Sequence, residues 1–104
     1  MSQNWTIQNS CLIVKLSKPS EDLSFIERLY NQDCKHIILD LSEVLGVNES
    51  YLTKFAKFGK NLVNTNSFVM ISNTCLHDDL LVVPTLQEAF DIIELEDIER
   101  SLNI

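Results

Sequence analysis

The stretch HIILDLSEVLGVNESYLTKFAKFGKNLV, residues 36–63, sets the organisation of the chain. Its first part, residues 36–41, is almost continuously apolar, which is typical of a strand covered on both faces of a sheet. A short connection that contains Gly46 follows. We therefore predict a buried strand over 36–41 and then a helix from Asn48 or Glu49 to Val63.

The helix is predicted from its period and from its first residues. Its apolar positions recur close to the helical period, at Leu52, Phe55, Phe58 with Gly59, and Leu62. Asn48 is a candidate N-cap, because its side-chain oxygen can accept from a free backbone N–H of the first turn. Glu49 then lies at the positive end of the helix dipole, where a negative charge is stabilised.

The N-terminal third predicts a hairpin and a helix. Strands over 4–8 and 11–17 are separated by Asn9-Ser10, which has turn chemistry. Ser20 can cap a helix that carries acids in its first turn and ends near residues 32–34.

The C-terminal third predicts two strands and a long helix. The strands cover 67–72 and 80–83, joined by a polar loop over 73–79. Thr85 and Glu88 form a capping box, in which each side chain can satisfy a free N–H of the first turn. The terminal helix should run to about Leu102, with a broad apolar face formed by Leu86, Ala89, Phe90, Ile93, Leu95, Ile98 and Leu102.

The element order is β-β-α-β-α-β-β-α, and it predicts an α/β fold. Helical crossovers imply a mixed, mostly parallel sheet of about five strands with three main helices, and the first hairpin adds an antiparallel strand. The length of 104 residues suits a single domain over 1–104.

This order and one local motif resemble the STAS domain family, which includes anti-sigma factor antagonists. In that family a strand ending in Asp-Leu is followed by a loop and by Asp-Ser-Ser/Thr-Gly-Leu at a helix start. Asp40-Leu41 begins the match, and Asn48-Glu49-Ser50-Tyr51-Leu52 fall on the second motif without gaps. Ser50 and Leu52 match, whereas Asn48, Glu49 and Tyr51 are substitutions. The family's helix between its last two strands is expected to be reduced or absent here, because only 73–79 is free for it, and the last strand is expected to stay parallel.

The resemblance implies a regulatory protein-binding module. In the antagonists the helix start docks on an anti-sigma kinase, which then phosphorylates the first Ser of the motif and releases the complex. Glu49 occupies that position. It is either a fixed phosphate mimic or simply a favourable first-turn acid, while the neighbouring Ser50 is a candidate for phosphorylation. The expected partner-binding surface consists of Gly46, Val47, Asn48, Glu49, Ser50, Tyr51 and Leu52, with Lys54 and Lys57 beside it.

The two long predicted helices differ in charge. The net charge of −7 argues against a nucleic-acid binder, which needs a basic surface. The segment 51–64 nevertheless carries three bases and no acid, whereas 86–102 carries six acids and one base. The lysines form either a solvated helix face or a stripe that meets an acidic partner.

The sequence offers no catalytic motif and no cofactor or metal site. His36 and His77 lie far apart, and His77-Asp78-Asp79 lacks the spacing of a zinc or calcium site. Cys11, Cys34 and Cys75 are expected to be reduced and mostly buried. His36 is expected to be a structural polar residue, and the acids of the last helix are expected to be solvated.

Together with the resemblance to the STAS family, these features predict a non-catalytic, cytoplasmic, bacterial regulatory protein that does not bind membranes. The apolar runs are too short to span a bilayer, and the first residues lack a signal-peptide pattern. The partner that the resemblance implies is an anti-sigma factor or a related kinase. Three further interpretations stay open: a non-catalytic enzyme subunit, a domain that binds a small apolar or anionic ligand, and a homodimer joined where the missing helix leaves the sheet uncovered.

Overall fold

The computed structural model of the chain describes residues 4–16, 24–30, 34–44, 49–63, 66–72 and 82–102. These form a small α/β fold with a mixed five-stranded sheet and three helices. The strands are β1 (Asn4–Gln8), β2 (Cys11–Lys15), β3 (His36–Asp40), β4 (Phe68–Ile71) and β5 (Val82–Val83). The helices are α1 (Ser24–Leu29), α2 (Glu49–Val63) and α3 (Leu86–Leu102).

The strands lie side by side in chain order, β1-β2-β3-β4-β5. β1 runs antiparallel to β2, and every other neighbouring pair is parallel. The predicted mostly parallel sheet is therefore confirmed, as is the parallel direction of the last strand. The segment 73–81, on which the predicted loss of a helix depends, lies outside the described residues.

The hairpin turn joins β1 to β2 and also contacts the start of β3. Asn9 and Ser10 have φ values of 54° and 63°, which is the left-handed pair of a two-residue turn that matches strand twist. The Ser10 carbonyl accepts from the backbone N–H groups of Lys35 (2.7 Å) and His36 (3.2 Å). The turn is thereby tied to the start of β3.

The sheet separates two apolar cores. On one face Ile37 and Leu39 of β3 pack with Ile26 of α1 and Phe55 of α2. On the other face Ile38 packs with residues of α3. Parallel strands that follow one another in one direction, joined by crossovers of one hand, place their connecting helices on a common face. This explains why α1 and α2 share a face. α3 follows the last strand and packs on the other face.

Two predicted helices differ from what the pattern suggested. α1 ends at Leu29, before residues 32–34. The Tyr30 N–H still donates to the Ile26 carbonyl (2.9 Å), and the Tyr30 hydroxyl donates to the Lys35 carbonyl (2.6 Å). In α3 only Ala89 and Ile93 are buried, with Phe90 half-buried, so most of the predicted apolar face does not reach the core. Its start is as predicted, since the Thr85 hydroxyl accepts from the Glu88 N–H (3.2 Å).

Gly59 lets α2 approach the sheet closely. It is buried, and a Cβ added there would overlap the ring of Phe68 at the start of β4. A helix-interior glycine costs about 1 kcal/mol relative to alanine. The close contact therefore explains a residue that helix propensity alone disfavours.

We predict that Gly59→Ala lowers the free energy of unfolding by about 1–3 kcal/mol, the usual cost of overpacking a core, despite the better helix propensity of alanine. Urea denaturation measures this. Asn61→Ala is the matched control, because Asn61 is exposed on the same helix. It should leave stability unchanged or raise it slightly. A Gly59→Ala protein as stable as the control would contradict the close-contact explanation.

Candidate functional site

The predicted partner surface lies around the start of α2. The helix begins at Glu49, as predicted. Gly46, Val47 and Asn48 lie outside the described residues, as do the side chains of Glu49, Tyr51 and Leu52. The expected exposure of Glu49 therefore stays a prediction.

The described part of this surface is a polar helix face. Ser50, Lys54 and Lys57 are exposed, whereas Phe55 is buried. At about 100° per residue, Ser50, Lys54 and Lys57 fall within one narrow sector, opposite the buried Gly59. Ser50 and Lys54 are four residues apart and so are neighbours on the helix surface. A negative group on Ser50 would lie within reach of the Lys54 ammonium.

Asp40 and Leu41 hold the chain that leads into this surface. The Asp40 carboxylate accepts from the Ser42 backbone N–H (2.9 Å), which closes a turn directly after β3. The Leu41 N–H donates to the Ile71 carbonyl (2.8 Å), and the Val44 N–H donates to the Leu41 carbonyl (3.0 Å). Val44 is itself buried. The first half of the connection is therefore fixed to the sheet.

A second cluster of polar side chains lies at the opposite end of the parallel strands. We call it the His36 network; it consists of His36, Ser67, Glu96, Asp97 and Arg100. His36 is only 1% exposed. Its Nδ1 accepts from the Ser67 backbone N–H (3.0 Å), and its Nε2 lies 3.1 Å from an Asp97 carboxylate oxygen.

The hydrogen bonds fix the imidazole tautomer. Because Nδ1 accepts from a backbone N–H, the proton of the neutral ring is on Nε2, which donates to Asp97. Arg100 donates to the other Asp97 oxygen (2.7 Å) and to the Ser67 hydroxyl (2.9 Å). That hydroxyl donates in turn to Glu96. The network thus joins the C-terminal half of α3 to the starts of β3 and β4.

This geometry differs from that of a Ser-His-Asp triad. In a triad the imidazole takes a proton from the serine hydroxyl. Here both ring nitrogens are already occupied, one by a backbone N–H and one by Asp97. The Ser67 hydroxyl is bonded to Glu96 and Arg100 instead of the ring. The arrangement suits the structural role predicted for His36.

The surroundings of His36 and Asp97 lower the pKa of both groups, but for different reasons. Burial lowers the pKa of His36, and Arg100 and Lys35 act in the same direction, against the attraction of Asp97. Burial raises the pKa of Asp97, but Arg100 and His36 outweigh it and hold that pKa below its usual value. Near neutral pH the network therefore holds a neutral imidazole and an ionised carboxylate.

The acids of α3 are expected from the sequence to be solvated, but two of them form hydrogen bonds with buried residues. Asp97 and Glu96 bond the buried His36 and Ser67. The sequence shows no signal for this, because His36 and Asp97 are 61 positions apart. Only the i,i+3 pair of Asp97 and Arg100 is visible in the sequence as a helical ion pair.

A cavity of about 420 Å³ adjoins the network, between the hairpin turn and α3. Cys11, Phe90 and Ile93 supply apolar walls, and Glu94 and Asp97 supply carboxylates. Burial, and then the charge of Asp97, raise the pKa of the Cys11 thiol to about 11. The thiol is thus protonated near neutral pH and is a poor nucleophile.

Cys11 and Cys34 are buried, as predicted, while Cys75 lies outside the described residues. No cluster of three potential metal ligands occurs within the described part of the chain. The same residues include no helix with the length and apolar character needed to cross a bilayer. The segment His77-Asp78-Asp79 is not among them.

Comparison with protein-family models, with curated proteins and with solved structures gave no match for this chain.

We predict that stability falls as the pH drops below about 6.5, the unperturbed histidine value. The folded pKa of His36 lies below that of the unfolded chain, so the unfolded chain binds an extra proton in this window. The contribution of His36 is fully present above pH 6.5 and is lost as the pH falls towards the folded pKa. Asp97 adds a loss at lower pH, below its unperturbed value of 3.8.

Urea denaturation at pH 7.5, 6.5 and 5.5 measures this slope, at values chosen to bracket the ordinary histidine pKa of about 6.5. In His36→Gln the slope should flatten, because an amide can keep both hydrogen bonds but does not titrate. His77→Gln removes the other histidine of the chain and should keep the slope. A slope that survives in His36→Gln and disappears in His77→Gln would show that His36 is not its source.

Proposed function

We propose that this chain is a STAS-like regulatory domain that binds a protein partner through the start of α2. The observation that carries the proposal is the position of that helix. α2 begins at Glu49, on the residue that the motif after Asp40-Leu41 assigns to the docking helix, and Ser50, Lys54 and Lys57 are exposed on one face. The mixed sheet with two helices on one face and one on the other is compatible with that fold.

The topology supports an accessible docking end. In a parallel β-α-β unit the crossover helix runs back along the sheet, so its N-terminus lies at the carboxyl ends of the strands. Binding sites of open α/β sheets lie preferentially at that end. The His36 network occupies the other end, at the starts of β3 and β4. The proposed docking end is therefore separate from the polar contacts that hold α3.

The proposed partner is an anti-sigma factor or a related kinase with an acidic face. Lys54 and Lys57 would meet that face and increase the rate of encounter. Phosphorylation of Ser50 would add a charge of about −1.5 to −2 one turn before Lys54. The phosphate would neutralise the nearer lysine and repel an acidic partner, so the modified chain would separate from it.

A small-ligand domain is the second candidate, because the 420 Å³ cavity beside Cys11 has apolar walls. Its two acids, Glu94 and Asp97, disfavour the anionic ligands considered from the sequence. An apolar or cationic molecule suits this cavity better. A shift in melting temperature on adding such a molecule would favour this candidate.

The partner can be captured with a photo-crosslinking residue at Ser50 in cells that express the chain. We expect crosslinking to a protein that carries a kinase-type nucleotide site. A crosslinker at Glu27, which is exposed on α1, is the matched control and should not capture that protein. Equal capture from both positions would count against a defined docking surface.

With the captured protein in hand, we predict that Lys54→Glu plus Lys57→Glu weakens binding by at least about tenfold and reduces its salt dependence. Isothermal titration at two salt concentrations measures both effects. Arg28→Glu plus Lys35→Glu is the matched control, because it makes the same charge change at exposed positions away from α2. Unchanged affinity and unchanged salt dependence in the α2 variant would show that Lys54 and Lys57 form only a solvated helix face.

Ser50 gives an independent prediction for the same complex. Ser50→Asp should weaken binding, since it places a negative charge at an exposed first-turn position next to Lys54. Ser50→Ala should bind like the unchanged chain, because it removes only a solvated hydroxyl. Equal binding by the two variants would argue against a phosphorylation switch at this residue.

A further inference from the structure

α3 carries a second apolar stripe that faces away from the sheet. We call it the outer stripe; it consists of Leu95, Ile98 and Leu102, which are 60%, 48% and 77% exposed. Ala89 and Ile93, on the opposite side of the same helix, are the residues that reach the core. Single exposed apolar side chains are ordinary. Three at spacings of three and four residues form a continuous strip along about two helical turns.

Acidic side chains border the outer stripe on both sides. At about 100° per residue, Glu94 falls on one flank, and Glu88 and Glu99 fall on the other. Asp91 lies in line with the outer stripe on the side of the helix start, where the apolar stripe ends. All four acids are exposed.

No positive side chain of α3 offsets these acids on the outer side. Arg100 is the one base of the helix, and it is turned inwards, where its guanidinium bonds Asp97 and Ser67. From Leu95 to Leu102 the outer side of α3 is therefore apolar along its centre, with negative side chains beside it.

The stripe is also indented. A shallow, open depression of about 340 Å³ is lined by Asp91, Glu94, Leu95 and Ile98. It adjoins the 420 Å³ cavity at the hairpin, which shares Glu94 and Ile98. Depressions beside a helix ridge are what side chains of a second helix fill when two helices pack. The shape thus suits a helical partner with projecting apolar side chains.

We propose that the outer stripe is the docking site for a basic amphipathic helix of another protein. Such a helix carries leucine-like residues every three or four positions, and these would cover Leu95, Ile98 and Leu102. Lysine or arginine residues on its flanks would face Glu94 on one side and Glu88 and Glu99 on the other. Opposite charges at the edges of a helix pair select the partner and its orientation.

The same charges oppose the α3 helix of a second copy as the occupant. Two α3 helices packed on each other along the outer stripe would bring the bordering carboxylates of both copies together. Like charges across a helix interface oppose that pairing. Two copies should therefore not pair through their outer stripes near neutral pH.

This site is separate from the proposed docking end of α2. α3 and α2 cover opposite faces of the sheet, so the two surfaces can be occupied at the same time. Variants of one surface therefore leave the other surface intact. Failure of the α3 proposal can thus be distinguished from failure of the α2 proposal.

The probe is a synthetic amphipathic peptide of about fourteen residues, long enough to match the stripe and its borders. It has leucine at helical spacing and lysine on both flanks, and its comparison peptide has glutamate in place of lysine. Fluorescence anisotropy with the whole chain measures binding. We expect the lysine peptide to bind with an affinity that falls as salt rises, and the glutamate peptide not to bind.

Two pairs of variants test the two components of the site. Leu95→Gln plus Leu102→Gln should weaken binding by at least about tenfold, as loss of central apolar contacts does. Leu86→Gln makes the same change on the same helix outside the outer stripe and should have little effect. Glu94→Gln plus Glu99→Gln should weaken binding and flatten its salt dependence, whereas Glu27→Gln plus Glu43→Gln, the same charge change at exposed positions elsewhere, should not.

Three results would overturn the proposal. The first is equal binding of the lysine and glutamate peptides. The second is unchanged affinity in Leu95→Gln plus Leu102→Gln, with circular dichroism showing that the variant is folded. The third is sedimentation at neutral pH that shows a dimer which the same variant dissociates, since a second copy would then be the occupant.

Discussion

Burial of β3 on both faces is the constraint on which the remaining structure depends. Ile37, Ile38 and Leu39 are each inaccessible to solvent. A strand with apolar side chains on both sides needs a layer above and a layer below. α1 and α2 provide one layer and α3 provides the other. The helices that carry both proposed binding surfaces therefore pack on the two faces of this strand and of its neighbours.

The sequence predicts local structure well wherever a period and an end signal coincide. The strand at 36–40 and the helix at 49–63 combine a clear apolar pattern with favourable first-turn residues. The start of α3 follows in the same way from Thr85 and Glu88. The mixed sheet follows from element order, because helical crossovers require parallel neighbours.

What the sequence does not predict depends on contacts between distant residues. The sequence of α3 shows which positions are apolar, but it does not show which of them contact the sheet. The exposure of Leu95 and Leu102 was therefore not predicted. The His36 network needs the register between β3, β4 and α3, which no local pattern contains. The lysine face of α2 was visible from the sequence, since outward spacing on a helix is a local property.

The placement of α2 and α3 on opposite faces has an electrical consequence for the whole molecule. Layers of secondary structure pack about 10 Å apart, so the lysine face and the acidic helix are separated by about 20 Å. This separation gives the chain a permanent dipole moment across the sheet. In dilute buffer the electric field of an approaching charged protein exerts a torque on that dipole and turns the chain before contact. At physiological ionic strength the screening length is about 8 Å, so each face is felt alone and the torque vanishes. The salt concentration therefore decides whether the chain is met as an oriented dipole or as two unrelated charged surfaces.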